Sequence, residues 1–208
     1  HQVSATPELS PLMQQYKELK SAHQDSILFF RVGDFYEMFY DDAVYASKVL
    51  DIALTSRDKN KADQVPLCGI PYHAASSYIA KLLKSRHKVA LCEQTEDAKL
   101  VKDKRPVRRE VVRVYTPGTL LESDLLATNE NNYLAALAPA HDRIGLAYLD
   151  LSTGEFRATE LIGHDLSHSV MDELARIDPQ ELLLPDGPNH PGLRTLDLSR
   201  MQTVSYLP

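Results

Sequence analysis

Apolar residues in this chain recur with two different periods, and the changes of period mark out its elements. After Ser10, a good helix N-cap, and Pro11, suited to the first helical position, Leu12, Met13, Tyr16 and Leu19 return at helical spacing. That spacing predicts a helix over 6–22 whose apolar stripe faces a core. Residues 27–30 (Ile-Leu-Phe-Phe) read as a buried strand, followed by a bend at Gly33-Asp34 and a second limb over 35–40. Asp41 and Asp42 stand where they can cap a helix through Ala43, Ala46, Val49 and Leu50. Residues 51–55 alternate as a half-buried strand does, and 56–64 are polar and loop-like. With Pro66, Gly69 and Pro71, residues 65–73 read as irregular and turn-rich. A helix capped by Ser76 or Ser77, with Ile79, Leu82 and Leu83 inside, precedes a strand over 88–94.

A strand over 109–116 is broken by Pro117-Gly118, and 119–132 read as a connecting segment. Residues 133–139 open a new sheet, and 145–150 with 155–161 form a hairpin around Ser152-Thr153-Gly154. Asp165 caps a helix carrying Val170, Leu174 and Ile177 and ended by Pro179, after which 181–184 form a short strand. From Pro185 onward, four prolines and two glycines leave little period. Strands and helices alternate, with crossovers long enough for a mixed, partly parallel sheet, so the fold class is α/β. The expected division is a first domain over 1–118, the connecting segment 119–132, and an incomplete second domain over 133–208.

Composition changes this picture mainly through charge. The 208 residues carry a net charge of −6, which does not advertise a nucleic-acid binder. Yet residues 1–118 hold 18 Lys+Arg against 15 Asp+Glu, whereas 119–208 hold 5 Arg and no Lys against 14 Asp+Glu. Only the first half could favour a polyanion. Its strongest basic run, 99–113, contains Lys99, Lys102, Lys104, Arg105, Arg108, Arg109 and Arg113 against Asp103 and Glu110. On composition alone that run is a solvated loop leading into a strand. Two cysteines, Cys68 and Cys92, without CxxC spacing argue against a disulfide scaffold or zinc site and fit a reducing cytoplasm. No apolar run is long enough for a membrane span, and Thr6-Pro7-Glu8 interrupts any signal-like segment.

The stretch 27–40 (Ile-Leu-Phe-Phe-Arg-Val-Gly-Asp-Phe-Tyr-Glu-Met-Phe-Tyr) carries the candidate chemistry. If its second limb is extended, Phe35 and Glu37 share a face, an aromatic ring beside a carboxylate. Either Phe35 is core and Glu37 belongs to a following helix, or Phe35 is a wedge and Glu37 reads what the wedge disturbs. The block Gly33-Asp34-Phe35-Tyr36-Glu37-Met38-Phe39 closely resembles the mismatch-recognition domain of the MutS family of bacterial DNA mismatch-repair proteins. Three more blocks agree in order: Leu50-Asp51-Ile52-Ala53-Leu54-Thr55, Gly69-Ile70-Pro71-Tyr72-His73-Ala74, and Val112-Arg113-Val114-Tyr115-Thr116-Pro117-Gly118-Thr119. The resemblance is strong over about 6–134 and weaker beyond.

It implies a mixed-sheet mismatch-recognition domain followed by an RNase H-like connector domain. Phe35 would stack on a mispaired or unpaired base from the minor groove, with Glu37 as its hydrogen-bonding partner. Arg57, Arg108 and Arg109 would touch phosphate, and Pro71 and His73 would abut the duplex. The partner is double-stranded DNA with mismatches or small loops. In the full-length parent the family implies a homodimer, ATP with Mg, and a MutL-type repair factor met through the connector, all in the bacterial cytoplasm. No G-x-x-x-x-G-K-[ST] loop occurs here, so the sequence reads as an excised fragment with no nucleotide hydrolysis, no cofactor and no catalytic residue of its own. Val32 is smaller than the usual family residue, and the loop 98–104 is longer.

Two other classes compete. Asp34, Glu37, Asp41 and Asp42, or Asp150 at a strand end, could belong to a metal-dependent nuclease, whose two-metal chemistry needs carboxylates converging on ions about 4 Å apart. His164, His168 and Asp172 fall at i, i+4 and i+8, although an exposed polar face is the commoner reason for such spacing. The acidic second half could instead be a protein-interaction module.

Overall fold

In the computed structural model, which describes residues 9–57, 64–97, 101, 105–119, 131–185, 193–201 and 203–207, the chain divides into two units, His1–Tyr115 and Thr116–Pro208. Both are mixed α/β, as expected. Among the described residues, no helix is long and apolar enough to cross a membrane.

The first unit is built on β1 (Ser26–Val32), β2 (Phe35–Phe39), β3 (Thr55–Arg57), β4 (Val65–Pro71), β5 (Lys88–Gln94) and β6 (Arg109–Tyr115). They lie in the order β3-β4-β2-β1-β5-β6. The β1–β5 pair is parallel and every other pair antiparallel. Three helices flank the sheet: α1 (Pro11–Ala22), α2 (Tyr40–Leu50) and α3 (Ala75–Lys84). The side-chain alternation of β1 and β2 separates two buried faces. Leu28, Phe30 and Phe39 pack with Met13 and Tyr16 of α1 on one face. On the other lie Phe29, Tyr36, Met38, Cys68 and Ile70, and the Cys68 thiol donates to the Ala43 carbonyl of α2 at 3.5 Å.

Ser10 caps α1 as expected, accepting from the Met13 N–H at 3.4 Å. Several expectations are corrected. Asp42 does not cap α2; the helix follows Phe39 with no side-chain cap, and the Asp42 carboxylate turns inward. There it accepts from the Leu28 N–H (2.9 Å), the Lys20 ammonium (2.8 Å) and the Tyr16 hydroxyl (3.4 Å), tying α2 to α1 and β1. α3 starts from Ala74, without a cap from Ser76 or Ser77. The strand expected over 51–55 begins only at Thr55, since Asp51 turns into the left-handed region. The largest change is at 65–73: despite two prolines and a glycine, Val65–Pro71 is a strand between β2 and β3. Pairing on both sides overrides local turn propensity there.

The second unit comprises β7 (Tyr133–Pro139), β8 (Arg143–Asp150), β9 (Glu155–Ile162), α4 (Leu166–Ile177), β10 (Glu181–Pro185) and β11 (Val204–Leu207). Its sheet order is β11-β10-β7-β8-β9. An antiparallel meander is extended by two parallel strands, as in an RNase H-like sheet. Val170, Leu174 and Ile177 of α4 close a core with Ala135, Leu137, Ile144, Leu146, Leu182 and Leu184. Asp165 caps α4 as expected, and Asp178 ends it in the left-handed conformation just before Pro179. β11 was not foreseen. The first half of the basic run and the connecting segment fall largely outside the described residues.

Candidate nucleic-acid interface

The β1–β2 turn consists of Gly33 and Asp34 alone, with Gly33 at φ 57°, the positive value that the first position of a tight hairpin turn favours. Phe35 therefore opens β2, opposite Val32 on one side and Pro71 on the other. The residue is 47% exposed. Glu37, two residues on, lies on the same face between Phe30 and Gly69. Phe35 is thus not core, and Glu37 sits on a strand rather than a following helix.

Gly69 has no side chain to fill the space beside Glu37. It leaves a shallow depression of about 300 Å³ lined by Phe35, Glu37, Ala53, Thr55, Leu67 and Gly69. Inside it, the Oε2 atom of Glu37 is shielded from solvent and has no hydrogen-bond partner. Arg57 approaches to 3.8 Å through Nη1, an ion pair too long for a hydrogen bond. Burial raises the Glu37 pKa above its ordinary value, against the pull of the Arg57 and Arg109 charges. A carboxyl group short of donors is poised to take a proton or to hydrogen-bond an incoming group.

The other expected site residues are not all brought to this spot. Arg57, at the end of β3, flanks Glu37. Pro71 pairs with Phe35, and His73 is exposed just beyond it, edge-on to Tyr72. Arg108 is open to solvent, but its guanidinium lies 2.7 Å from Glu110. Arg109 is the correction: only 6% exposed, it donates to the carbonyls of Arg31 (2.5 Å) and Val107 (2.7 Å) and to Gln15 Oε1 of α1 (3.0 Å), over the Phe30 ring. Its fork is occupied within the protein, and this burial speaks against a phosphate contact. Arg105 is likewise paired with Glu96. The residues missed by sequence reasoning are Arg31 and Tyr72, which stack at the turn. A charge inside the apolar run 27–32 was the available signal.

The competing nuclease reading finds no support in placement. Asp34 is at the turn, Glu37 on the α1-side face and Asp42 in its buried network, so these carboxylates do not converge. Among the described residues, no group of three or more His, Cys, Asp or Glu is placed to hold a metal ion. His168 pairs with Asp172 at 3.4 Å on an exposed helix face. Asp150 is fully buried and accepts from the Ser152 hydroxyl (2.6 Å), from the Ser152 and Thr153 N–H groups and from the Asn132 N–H. Burial would raise its pKa, but these bonds outweigh burial and hold it below the usual value. Its contribution to stability is therefore present above the ordinary carboxylate pKa and lost as acid protonates it. Asp150→Asn should cost about 1–3 kcal/mol, read as lost amide-exchange protection in β8 and β9. Unchanged protection would contradict this structural assignment. The two thiols are no better suited to chemistry: burial pushes Cys68 up to about 11 and Cys92 up to about 12.

A family model described as MutS domain I matches residues 10–124, and one described as MutS domain II matches residues 132–204. The DNA mismatch repair protein MutS of Desulforamulus reducens is 50% identical over 184 residues, which is 88% of this chain and 21% of that protein. Its counterpart in Syntrophobacter fumaroxidans is 50% identical over 185 residues, covering 88% of this chain and 20% of the relative. That of Brevibacillus brevis is 52% identical over 174 residues, covering 84% and 20%. The chain spans about one fifth of the length of these relatives.

Proposed function

The chain belongs to the MutS family of DNA mismatch repair proteins, and from that premise we propose that its first unit recognises mispaired or unpaired bases by inserting Phe35 from the minor groove. The observation that carries this reading is the exposed Phe35 on one sheet face with the Oε2 of Glu37, which has no hydrogen-bond partner. An apolar ring entering a base step unstacks and kinks the duplex at a cost of a few kcal/mol. The cost is lowest where pairing and stacking are already poor, so a wedge blind to sequence still prefers defects. Arg57 and Arg108 remain the phosphate candidates, and Pro71 and His73 flank the wedge. In the whole protein, the same reading places ATP with Mg elsewhere, two subunits around the duplex and a MutL-type factor at the second unit. It puts the protein in the cytoplasm.

Glu37 adds discrimination rather than affinity. Ionised, it repels phosphate and its shielded oxygen lacks a donor; protonated, it donates to a base nitrogen that a defect leaves free. Glu37→Gln removes the charge and keeps a donor. In a full-length MutS protein carrying this chain, it should raise matched-duplex affinity about tenfold, the scale of one unfavourable ionised contact. Preference for a defect should shrink correspondingly. The sign with pH follows from proton uptake on binding: wild-type preference falls as pH rises through the Glu37 pKa in the complex, and the Gln variant is flat. Matched-duplex binding that does not change in Glu37→Gln would sink this role.

A further inference from the structure

We propose that Arg31 is the positioning residue of the wedge: from the sheet face opposite Phe35, it ties the two-residue turn to β5 and to the segment after β4, so the ring keeps its angle when it meets a base step. The inference rests on reading Phe35 as a wedge.

Arg31 pairs with Tyr36 across β1 and β2, whereas Phe35 pairs with Val32, so alternation puts Arg31 and Phe35 on opposite faces. The Arg31 guanidinium makes several contacts near the turn. Its Nε–H donates to the Gly33 carbonyl at 2.5 Å. Its Nη1 lies 3.5 Å from a Glu93 carboxylate oxygen on β5. The guanidinium carbon lies 3.8 Å from the centroid of the Tyr72 ring and 5.6 Å from that of Tyr36. The same Glu93 carboxylate accepts the Tyr36 hydroxyl, and the Tyr72 N–H donates to the Asp34 carbonyl at 3.0 Å. Turn, β5 and the segment after β4 are thus fastened through one planar cation. Lysine cannot reproduce this, because its ammonium neither stacks flat on a ring nor forks between partners.

The brace matters because of what a wedge does. Holding a base step apart loads the ring with the cost of unstacking that step. A two-residue turn at a sheet end has little rigidity of its own, and a turn that tilts lets the ring slip out of the step. Binding energy that should distinguish a defect would be lost in deforming the protein. The Arg31 side chain is only 17% exposed, which argues against a direct phosphate contact, the competing role.

The two roles separate in a full-length MutS protein carrying this chain, tested as Arg31→Gln and Arg31→Lys, each also combined with Phe35→Ala. Affinity is measured for a matched duplex and for one with a single unpaired thymine, across a salt series. Arg31→Gln should lower the preference for the unpaired thymine about five- to tenfold, the scale of a lost cation–π contact plus part of an ion pair. Arg31→Lys should lose less, because it keeps a charge beside Glu93. Neither should cost further affinity for the unpaired-thymine duplex once Phe35 is alanine, and the salt slope should not change. A full additional loss in the Phe35→Ala background would overturn the proposal. So would a slope reduced by about one, the mark of a lost phosphate contact. Loss of amide-exchange protection throughout the first sheet in both variants would make Arg31 a residue of general stability and also overturn it. If Phe35→Ala removes the preference and Arg31→Gln leaves it, positioning by Arg31 fails alone; if Phe35→Ala itself keeps the preference, the wedge reading fails.

Discussion

Replacing Phe35 with alanine should abolish the preference for a duplex carrying one unpaired thymine and leave matched-duplex affinity nearly unchanged. Base–aromatic stacking is worth about 1–3 kcal/mol per base by alanine substitution, so the defect should lose between about fivefold and 150-fold in affinity. The matched duplex loses little, because there the gain from inserting the ring is offset by the cost of opening a sound step. Stability is not the explanation for such a result, since Phe35 is 47% exposed and stands outside the buried cluster beneath α1. Salt must be held constant, because phosphate contacts alone move affinity by orders of magnitude. A preference that survives the substitution would make Phe35 an incidental surface aromatic, and the proposed recognition would fall with it.

Arg109 should behave in the opposite way, with a large effect on stability and none on the salt slope. Arg109→Leu leaves the Arg31 and Val107 carbonyls and the Gln15 side chain without their donor. Orphaning these partly buried acceptors costs about 2–4 kcal/mol in total. Amide-exchange protection of β1, β5 and β6 should fall by that amount. Arg109→Lys is the sharper variant. An ammonium serves a phosphate nearly as well as a guanidinium but cannot span three acceptors in one plane. A buried fork therefore predicts that lysine also destabilises, and a phosphate contact predicts that lysine is tolerated. If Arg109→Lys keeps full protection while Arg109→Leu lowers the salt slope by about one, the structural role assigned to Arg109 is wrong.

What the sequence determined by itself was local or carried by ordered motifs. Ser10-Pro11 and Asp165 start their helices through side-chain bonds three residues long, so the necessary partners lie within the same few letters. The apolar run before Gly33-Asp34 announced the bend, and the shared face of Phe35 and Glu37 was legible on condition that the second limb is extended, a condition the β1–β2 pairing meets. Four motif blocks in order pointed to the family before any contact was known.

Tertiary structure decided whatever depended on a partner distant in the chain. Val65–Pro71 is a strand because β2 and β3 flank it, and Val204–Leu207 is one because β10 offers it an edge; neither has a period of its own strong enough to announce it. Asp42, placed by the sequence at a helix start, is drawn to Tyr16, Lys20 and Leu28. The same holds for the charges of the candidate interface. Arg57, Arg108 and Arg109 are alike as letters, and only packing leaves one beside Glu37, one in solvent and one buried beneath α1. A charge acts according to its neighbours and its exposure, and both are properties of the fold.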